Sequence, residues 1–202
     1  MMYDTGAIIL AAGQSTRMGK ANKLMLLIDG VAMIRRVVLQ YRAAIDGPIT
    51  VVTGHEAADV VSVLHGVDVT CVHNSDFANG QQGSVAVGLQ HAPDAQILLI
   101  GLGDQPLLTA NDIATLVKTH RKTAPSKVGI PVSGDVRGNP IVLPHVLRAQ
   151  LTADPARPGC MRFTRENPQL VYRHKLPAAG FFTDIDTPID FATLIPKGVV
   201  SQ

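Results

Sequence analysis

Cysteine is scarce in this 202-residue sequence, which contains two. Cys71 and Cys160 stand far apart, and neither belongs to a C-x-x-C pair or to a spacing that binds zinc. The sequence therefore lacks the pattern of a disulfide framework or of a zinc site. We expect both residues to be unpaired thiols in a reduced cytoplasm.

Long hydrophobic runs and a strong net charge are also missing. No apolar run approaches the roughly 20 residues that a membrane-spanning helix needs. The first apolar stretch ends at Gly13 and has no basic segment before it, so we expect no secretory signal. The formal net charge of +2 is too small to favour nucleic acid or an anionic membrane as a partner. These absences predict a cytoplasmic protein that binds small molecules.

The composition, 46% hydrophobic and 17% charged, is that of one globular domain. Strand and helix patterns alternate through the first half, which predicts right-handed crossovers and an α/β fold with a parallel sheet. The second half is less regular, and we expect it to add antiparallel edge elements. Predicted strands cover 6–11, 49–53, 67–72, 96–102, 128–132, 141–143, 170–173 and 181–185. Predicted helices cover 31–44, 56–64, 84–90, 109–122 (starting at Thr109 or Asn111), 146–151, 160–165 and 188–194, with Ser84 as a helix cap.

The stretch 9–23 carries the clearest functional signal. An apolar strand ends there in a loop with two glycines and a local excess of cations, which are Arg17, Lys20 and Lys23. Backbone N–H groups approach phosphates closely where glycine leaves room, and Lys and Arg offset the negative charge. The loop therefore predicts a site for nucleotide phosphates, with an ordinary basic surface loop as the alternative. Its spacing matches neither Walker A nor G-x-G-x-x-G, so a nucleotide would be bound by another scheme.

Asp104 follows the most hydrophobic predicted strand and is flanked by Gly103 and Pro106. In open α/β sheets, ligands bind beyond the carboxyl ends of the strands. We therefore expect Asp104 to share one cleft with the loop after Ala11. A carboxylate at that edge is suited to hold Mg²⁺ together with phosphate oxygens. The alternative is an aspartate that caps a turn.

Asp184 and Asp186 form a second acidic pair, just before Pro188. On the strand predicted there, alternation would place both side chains on one face, with Asp186 nearer the strand end. One of them would then share the metal. The alternative is that Asp186 or Thr187 caps the helix that begins at Pro188.

No Ser-His-Asp or Cys-His set is indicated, and the seven histidines have no ligand spacing. A metal held by aspartate beside a basic, glycine-bearing loop fits phosphoryl or nucleotidyl transfer. In such reactions a substrate oxygen attacks, and the protein mainly positions the reactants and neutralises charge.

Five motifs spread over nearly the whole chain resemble one family. The first is L-A-A-G-x-S-x-R-M-G at 10–19, followed by Lys23-Leu24. The others follow in the family's order: Asn74 with Gly80, Ser84 and Gly88-Leu89; Gly103-Asp104-Gln105-Pro106; Arg137-Gly138-Asn139-Pro140; and Asp184-Ile185-Asp186-Thr187-Pro188. Together they resemble the MobA/MocA-like nucleotidyltransferases, and most closely the molybdenum cofactor cytidylyltransferases. The first motif alone is shared with sugar-phosphate nucleotidyltransferases.

The resemblance implies a single Rossmann-like three-layer α/β/α domain over 1–202 with a mostly parallel sheet. About 1–105 would bind the nucleoside triphosphate and about 106–202 the acceptor. The implied nucleotide-binding residues are Leu10, Ala11, Ala12, Gly13, Arg17, Lys23, Asn74, Ser84 and Asp104. The implied catalytic residues are Arg17, Lys23 and Asp104, and the implied Mg²⁺ ligands are Asp104 and Asp186. The residues implied to face the acceptor are Arg137, Gly138, Asn139 and Pro140.

The implied reaction is attack by the terminal phosphate of molybdopterin, or of the molybdenum cofactor, on the α-phosphate of CTP. Pyrophosphate leaves, and Mg²⁺ is the cofactor. Guanylyl relatives usually carry a second glycine where this chain has Ala12, and the added methyl group favours the smaller pyrimidine. Either Lys20 or Lys23 could reach the phosphates, and the apolar run after Lys23 favours Lys23.

Two further functions fit the same residues. One is transfer from another nucleotide such as GTP, or to another phosphorylated acceptor such as a sugar phosphate. The other is a nucleotide-binding accessory protein, or chaperone, that docks to a molybdoenzyme without catalysis. Intact Asp104, Asp186, Arg17 and Lys23 argue against the accessory protein. As an enzyme, the chain is expected to contact a molybdoenzyme or its maturation chaperone transiently.

Overall fold

The computed structural model describes residues 2–19, 21–152 and 160–194. Its strands are β1 (Tyr3–Ala11), β2 (Leu27–Ile28), β3 (Val31–Ala32), β4 (Ile49–Thr53), β5 (Thr70–His73), β6 (Ala95–Leu102), β7 (Val128–Ser133), β8 (Val136–Arg137), β9 (Ile141–Pro144) and β10 (Val171–Lys175). Its α-helices are α1 (Met33–Ala44), α2 (Ala57–Val63), α3 (Gln81–Gln90), α4 (Ala110–Thr123), α5 (His145–Thr152), α6 (Cys160–Glu166) and α7 (Pro188–Leu194). None of these helices has the length and apolar character needed to cross a membrane.

The central sheet has the strand order β10-β7-β9-β6-β1-β4-β5, and β8 pairs with β7. β1 pairs in parallel with β6 on one side and with β4 on the other, and β4 pairs in parallel with β5. β9 runs antiparallel to both of its neighbours, β6 and β7. The predicted mostly parallel sheet is therefore confirmed. The antiparallel strand β9, however, lies inside the sheet rather than at its edge.

Both faces of the sheet are covered, as the continuous apolar sequence of β1 requires. On one face, Ile9 packs in a cluster with Tyr41 of α1 and Ile113 of α4. On the other face, Ile8 packs with Val85 of α3 and Leu147 of α5. Successive residues of β1 therefore enter opposite layers, and the fold is the predicted three-layer α/β/α arrangement.

One predicted strand and one predicted helix cap are wrong. The strand expected at 181–185 is absent from the described chain, because Ala179–Phe181 form a 3₁₀ turn and the Ile185 N–H donates to the Asp104 carbonyl at 3.0 Å rather than to a strand ladder. The helix expected to begin at Ser84 begins at Gln81. Ser84 therefore lies inside α3 and does not cap it.

A pair of buried histidines joins α4 to β10. His120 is 0% exposed and His174 is 2% exposed, and Nδ1 of His120 lies 3.0 Å from Nε2 of His174. Gly129 of β7 leaves room for the pair, since a Cβ atom there would lie 2.5 Å from His120 Nδ1. Burial, and then repulsion from His174, lowers the pKa of His120 to about 4. The pair is therefore neutral in the folded protein near pH 7.

This pair predicts a loss of stability in mild acid. In the unfolded chain His120 binds a proton near its ordinary pKa, whereas the folded chain resists protonation down to about pH 4. The unfolded state thus binds more protons between those values, and folding weakens as the pH falls. We expect this group to lower the free energy of unfolding by on the order of 2 kcal/mol between pH 7 and pH 4.5. Urea unfolding followed by circular dichroism at both pH values measures it.

His120→Gln should flatten this pH dependence, although its stability at pH 7 is lower. His65→Gln, at an exposed position, serves as the control and should keep the wild-type slope. An equal slope in all three proteins would show that His120 is not the group responsible.

Candidate active site

The site lies where strand order reverses. β1 sits between β4 and β6, and Leu10 is paired with Leu102 at the carboxyl ends of β1 and β6. The Gly103 N–H donates to the Leu10 carbonyl at 2.9 Å and ties the two strand ends together. Open α/β sheets bind ligands at this kind of position.

A cavity of about 410 Å³ opens at this edge. Its lining includes residues from four of the five motifs: Leu10, Gly13, Arg17, Lys23, Gly80, Ser84, Asp104, Asp184 and Asp186. The prediction that the breaks after Ala11 and Leu102 share one cleft is confirmed. A wider groove of about 780 Å³ lies at the other end of β1, beside Asp4 and Arg121, and no motif residue lines it.

The loop after β1 is shaped by its own polar side chains. Ser15 adopts a left-handed backbone with φ 52°, and its hydroxyl accepts a hydrogen bond from the Lys23 N–H at 3.2 Å. The Asn22 side chain accepts from the Leu24 N–H at 3.0 Å and caps the short 3₁₀ turn Lys23–Met25. Together these bonds fold the loop back on itself and bring Lys23 into the cavity. The alternative cation, Lys20, lies outside the described residues.

Lys23 bridges the two predicted metal ligands. Its ammonium group contacts Asp104 Oδ2 and lies 2.8 Å from Asp186 Oδ1. Arg17, with 66% of its side chain exposed, lies 2.8 Å from the other oxygen of Asp186. Burial alone would lower the pKa of Lys23, but Asp104 and Asp186 outweigh it and raise that pKa. Burial alone would raise the pKa of Asp186, but Lys23 and then Arg17 outweigh it and hold that pKa below its usual value.

The start of α7 leaves the Asp186 carboxylate available for these cations. The Asp190 carboxylate accepts from the N–H groups of Asp186 at 3.1 Å and Thr187 at 2.7 Å. The Thr187 hydroxyl accepts in return from the Asp190 N–H at 3.2 Å. Thr187 and Asp190 therefore cap the helix reciprocally, and Asp186 points to Lys23 and Arg17.

Asp184 lines the same cavity. Burial raises its pKa, and the charges of Asp104 and Asp186 raise it further. Asp184 and Asp186 therefore lie in the same cavity, as predicted, although the strand that was expected to bring them together does not form.

The carboxylates suit a divalent cation. Asp104 and Asp186 already share one cation, and Asp104 Oδ1 is buried without a hydrogen-bond partner among the residues that the structure describes. Mg²⁺ takes one or two carboxylates and completes its shell with phosphate oxygens and water. Across the described ranges no group of three or more His, Cys, Asp or Glu residues could hold a metal alone. This donor set therefore fits a metal that arrives with a phosphate ligand.

Asn74 and Ser84 lie beside the cavity as a pair. Both are 3% exposed, and the Asn74 amide donates to the Ser84 hydroxyl at 3.0 Å. Asn74 also accepts from the Asp76 N–H at 3.0 Å. Ser84 lines the cavity, whereas the hydrogen bonds of Asn74 are made within the protein and fix α3 to the end of β5.

The first three of the implied nucleotide-binding residues differ in position. Leu10 lines the cavity, while Ala11 and Ala12 are 2% and 5% exposed. A Cβ atom on Gly54 would lie 2.8 Å from the Ala12 methyl group and 2.6 Å from the Cβ of Phe77. Ala12 therefore packs beside Gly54, behind the cavity wall to which Phe77 belongs.

The predicted acceptor motif lies on the far side of β6. A cavity of about 150 Å³ adjoins the first one; Leu10, Gln81 and Leu102 line both, and Asn139 lines the smaller. Arg137 instead donates to the Thr164 hydroxyl at 2.8 Å. Burial lowers the pKa of Arg137, and Arg165 and Arg173 lower it further. Gly138 and the cis Asn139–Pro140 bond shape the loop.

Sequence reasoning missed the carbonyl group of Phe181. This oxygen accepts from the Asn139 N–H at 2.9 Å and from the buried Gln105 amide at 3.3 Å. A side chain at Gly138 would overlap the same oxygen. Two motifs, 103–106 and 137–140, thus meet at one backbone atom. Gln105 and Gly138 belong to quoted motifs, but nothing in the sequence marks Phe181 as their common partner.

The sequence matches the model of the MobA-like NTP transferase domain over residues 7–171. The chain belongs to this family. The match covers β1 through the start of β10 and includes the basic loop, Asp104 and the acceptor motif. The family supports an enzyme that transfers nucleotidyl groups.

Three relatives illustrate the range of this fold. A bifunctional enzyme IspD/IspF of Desulforudis audaxviator is 30% identical over 67% of this chain and 36% of its own length. A nucleotidyl transferase from Methanothermobacter thermautotrophicus superposes with a TM-score of 0.80 at 22% identity, over 95% of each chain. Rv0371c of Mycobacterium tuberculosis, in a complex with manganese, superposes with a TM-score of 0.75 at 19% identity over 96% of this chain and 98% of that one. The chain spans 25% to 36% of the length of the first curated relatives that it matches.

Asp104 provides a direct test of the site. If Asp104 holds Mg²⁺ as predicted, Asp104→Ala should reduce Mg²⁺-dependent pyrophosphate release by at least about 100-fold, since it would remove a preorganised ligand and leave Lys23 with one carboxylate. The loss of the Lys23 contact is local, so the circular dichroism spectrum should be unchanged. Asp135→Ala, in the exposed turn before β8, is the matched control. Near-normal turnover of Asp104→Ala would refute the metal assignment.

Proposed function

We propose that the protein transfers CMP from CTP to the terminal phosphate of molybdopterin or of the molybdenum cofactor, and releases pyrophosphate. One observation carries the nucleotidyl transfer: a basic loop and two carboxylates from distant motifs converge on Lys23 in one cavity. The five motifs that resemble molybdenum cofactor cytidylyltransferases support the choice of substrates. The manganese complex of Rv0371c supports a divalent cation, here Mg²⁺.

The residues would divide the work between binding and charge neutralisation. Among the described residues, none beyond the chain neighbours of Gly13 comes within 4 Å of the point where a side chain would begin there, so the loop leaves space for phosphates. Arg17 and Lys23 would neutralise the triphosphate and the pyrophosphate that leaves. Asp104 and Asp186 would hold Mg²⁺, which supplies charge stabilisation on the phosphates when bound. The acceptor phosphate would attack the α-phosphate, so no protein nucleophile is required.

The acceptor would enter from the side of Asn139. The smaller cavity that Asn139 lines adjoins the larger one, and Leu10 and Leu102 line both. Its lining combines apolar side chains with the amides of Gln81 and Gln82, a combination that suits a flat heterocycle with polar edges. The reaction would take place in the cytoplasm, and the product would be delivered transiently to a molybdoenzyme or its chaperone.

A second candidate is transfer to another phosphorylated acceptor, such as a sugar phosphate. The first motif is shared with enzymes of that type, and the sequence match to the family ends at residue 171. The acceptor therefore has to be determined directly.

A substrate panel separates the candidates. We expect pyrophosphate release with CTP and molybdenum cofactor to exceed that with GTP, ATP or UTP at least about tenfold. Turnover with a sugar phosphate alone would identify the second candidate. Tight nucleotide binding without turnover on any acceptor would instead indicate an accessory protein, and would contradict an enzyme.

Ala12 tests the choice of nucleotide. The methyl group acts through Gly54 and Phe77 rather than by lining the cavity, so its effect should be smaller than that of a direct contact. We expect Ala12→Gly to shift the ratio of kcat/KM for CTP over GTP towards GTP by about tenfold, within the range of one methyl group. Ala11→Gly, at the neighbouring buried alanine, is the control. An unchanged ratio would show that Ala12 does not select the base.

A further inference from the structure

The ammonium group of Lys23 lies between the two carboxylates at the floor of the larger cavity. It contacts Asp104 Oδ2, lies 2.8 Å from Asp186 Oδ1, and its side chain is 12% exposed. The exposed fractions of Asp104 and Asp186 are 15% and 24%. Both carboxylates that the proposed function assigns to the metal therefore already bind a cation of the protein.

A divalent cation cannot enter between these carboxylates while the ammonium stays there. An ammonium and a divalent ion that share two carboxylates would lie within a few ångströms of each other, and like charges repel strongly at that separation in a partly buried site. The same two oxygens would also have to serve both cations. Metal binding to the ligand-free protein therefore requires Lys23 to find another anionic partner.

A bound triphosphate would be that other anionic partner for Lys23. Lysine carries a compact charge on a flexible four-carbon stem, so it can change partners without moving the backbone. The loop that holds Lys23 also contains Gly13 and Arg17 at the mouth of the cavity, where phosphates would bind. A bound triphosphate would place several negative oxygens within reach of this stem.

We propose that Lys23 is an exchangeable cation that keeps the metal position closed until a nucleotide binds. In the ligand-free protein, its ammonium neutralises Asp104 and Asp186 and excludes a divalent ion. When a triphosphate binds, the ammonium passes to phosphate oxygens and the two carboxylates bind the metal. Nucleotide and metal binding are then positively and reciprocally coupled. This inference rests on the proposed function, because it takes Asp104 and Asp186 as metal ligands.

Binding of Mn²⁺ alone, without nucleotide, tests the exclusion. The free ion is measured by electron paramagnetic resonance during titration. We expect Lys23→Met to bind Mn²⁺ at least tenfold more tightly than the wild type. Arg17→Met is the matched control, because Arg17 contacts one of the two carboxylates and is 66% exposed, and it should change the affinity less than threefold. The gain in Lys23→Met should disappear in the double variant with Asp104→Asn.

Binding of CTP in the presence of EDTA tests the second part of the exchange, the transfer of Lys23 from the carboxylates to the triphosphate. Asp104→Asn removes one of the two anions that hold Lys23, and should strengthen metal-free CTP binding about three- to tenfold. Asp184→Asn is the matched control, since it removes a carboxylate from the same cavity wall that makes no hydrogen bond to Lys23 among the described residues. Its gain should be at least threefold smaller. Both changes keep the shape of the side chain.

The outcomes separate this inference from the proposed reaction. If Lys23→Met binds Mn²⁺ no better than the wild type or Arg17→Met, the exchange is overturned, whether or not the wild type turns over CTP. If Lys23→Met does not fold, equal CTP binding by Asp104→Asn and Asp184→Asn overturns it instead. If Lys23→Met gains the expected affinity while the wild type releases no pyrophosphate with any substrate pair, the exchange stands and the proposed reaction fails.

Discussion

Parallel pairing between β1 and β6 is the constraint on which the site depends. Leu10 pairs with Leu102, so the basic loop and Asp104 emerge at the same height on neighbouring strands. A shift of one residue in that register would turn the apolar side chains of β1 to the wrong layers. The hydrophobic core that fixes the register thus also fixes the distance between the Lys23 loop and the first carboxylate.

Much of this arrangement is predictable from sequence because it follows from strong apolar periodicity. The strand Ile49–Thr53 and the helix Pro188–Leu194 have the predicted bounds, and the Thr109 cap of α4 forms as one of the expected starts. The strand Ile49–Thr53 is buried at every position, so its apolar run is a sufficient signal. The helix Pro188–Leu194 has no buried residue, and its start is instead marked by Thr187 and Pro188. The convergence of Lys23, Asp104 and Asp186 follows from this topology and from the order of the motifs.

The failures occur where tertiary hydrogen bonds replace local ones. The segment 181–185 has the composition of a strand, but its backbone groups bond to Asp104 and Asn139 instead of to a neighbouring strand. Ser84 looks like a helix cap, yet its hydroxyl pairs with Asn74, which is ten residues earlier. The antiparallel strand β9 lies between β6 and β7, and nothing in the sequence of 141–144 indicates that position in the sheet. In each case the deciding partner is distant in sequence.

The Phe181 carbonyl has a consequence for the changes that residues 137–140 can tolerate. This one oxygen accepts hydrogen bonds from the Asn139 N–H and from Gln105 in the turn that carries Asp104, and the chain continues from Phe181 to Asp186. A backbone movement in residues 137–140 would therefore also disturb the turn that carries Asp104. Insertions there would break the shared hydrogen bonds, whereas exchanges of side chains on the same backbone would leave them in place.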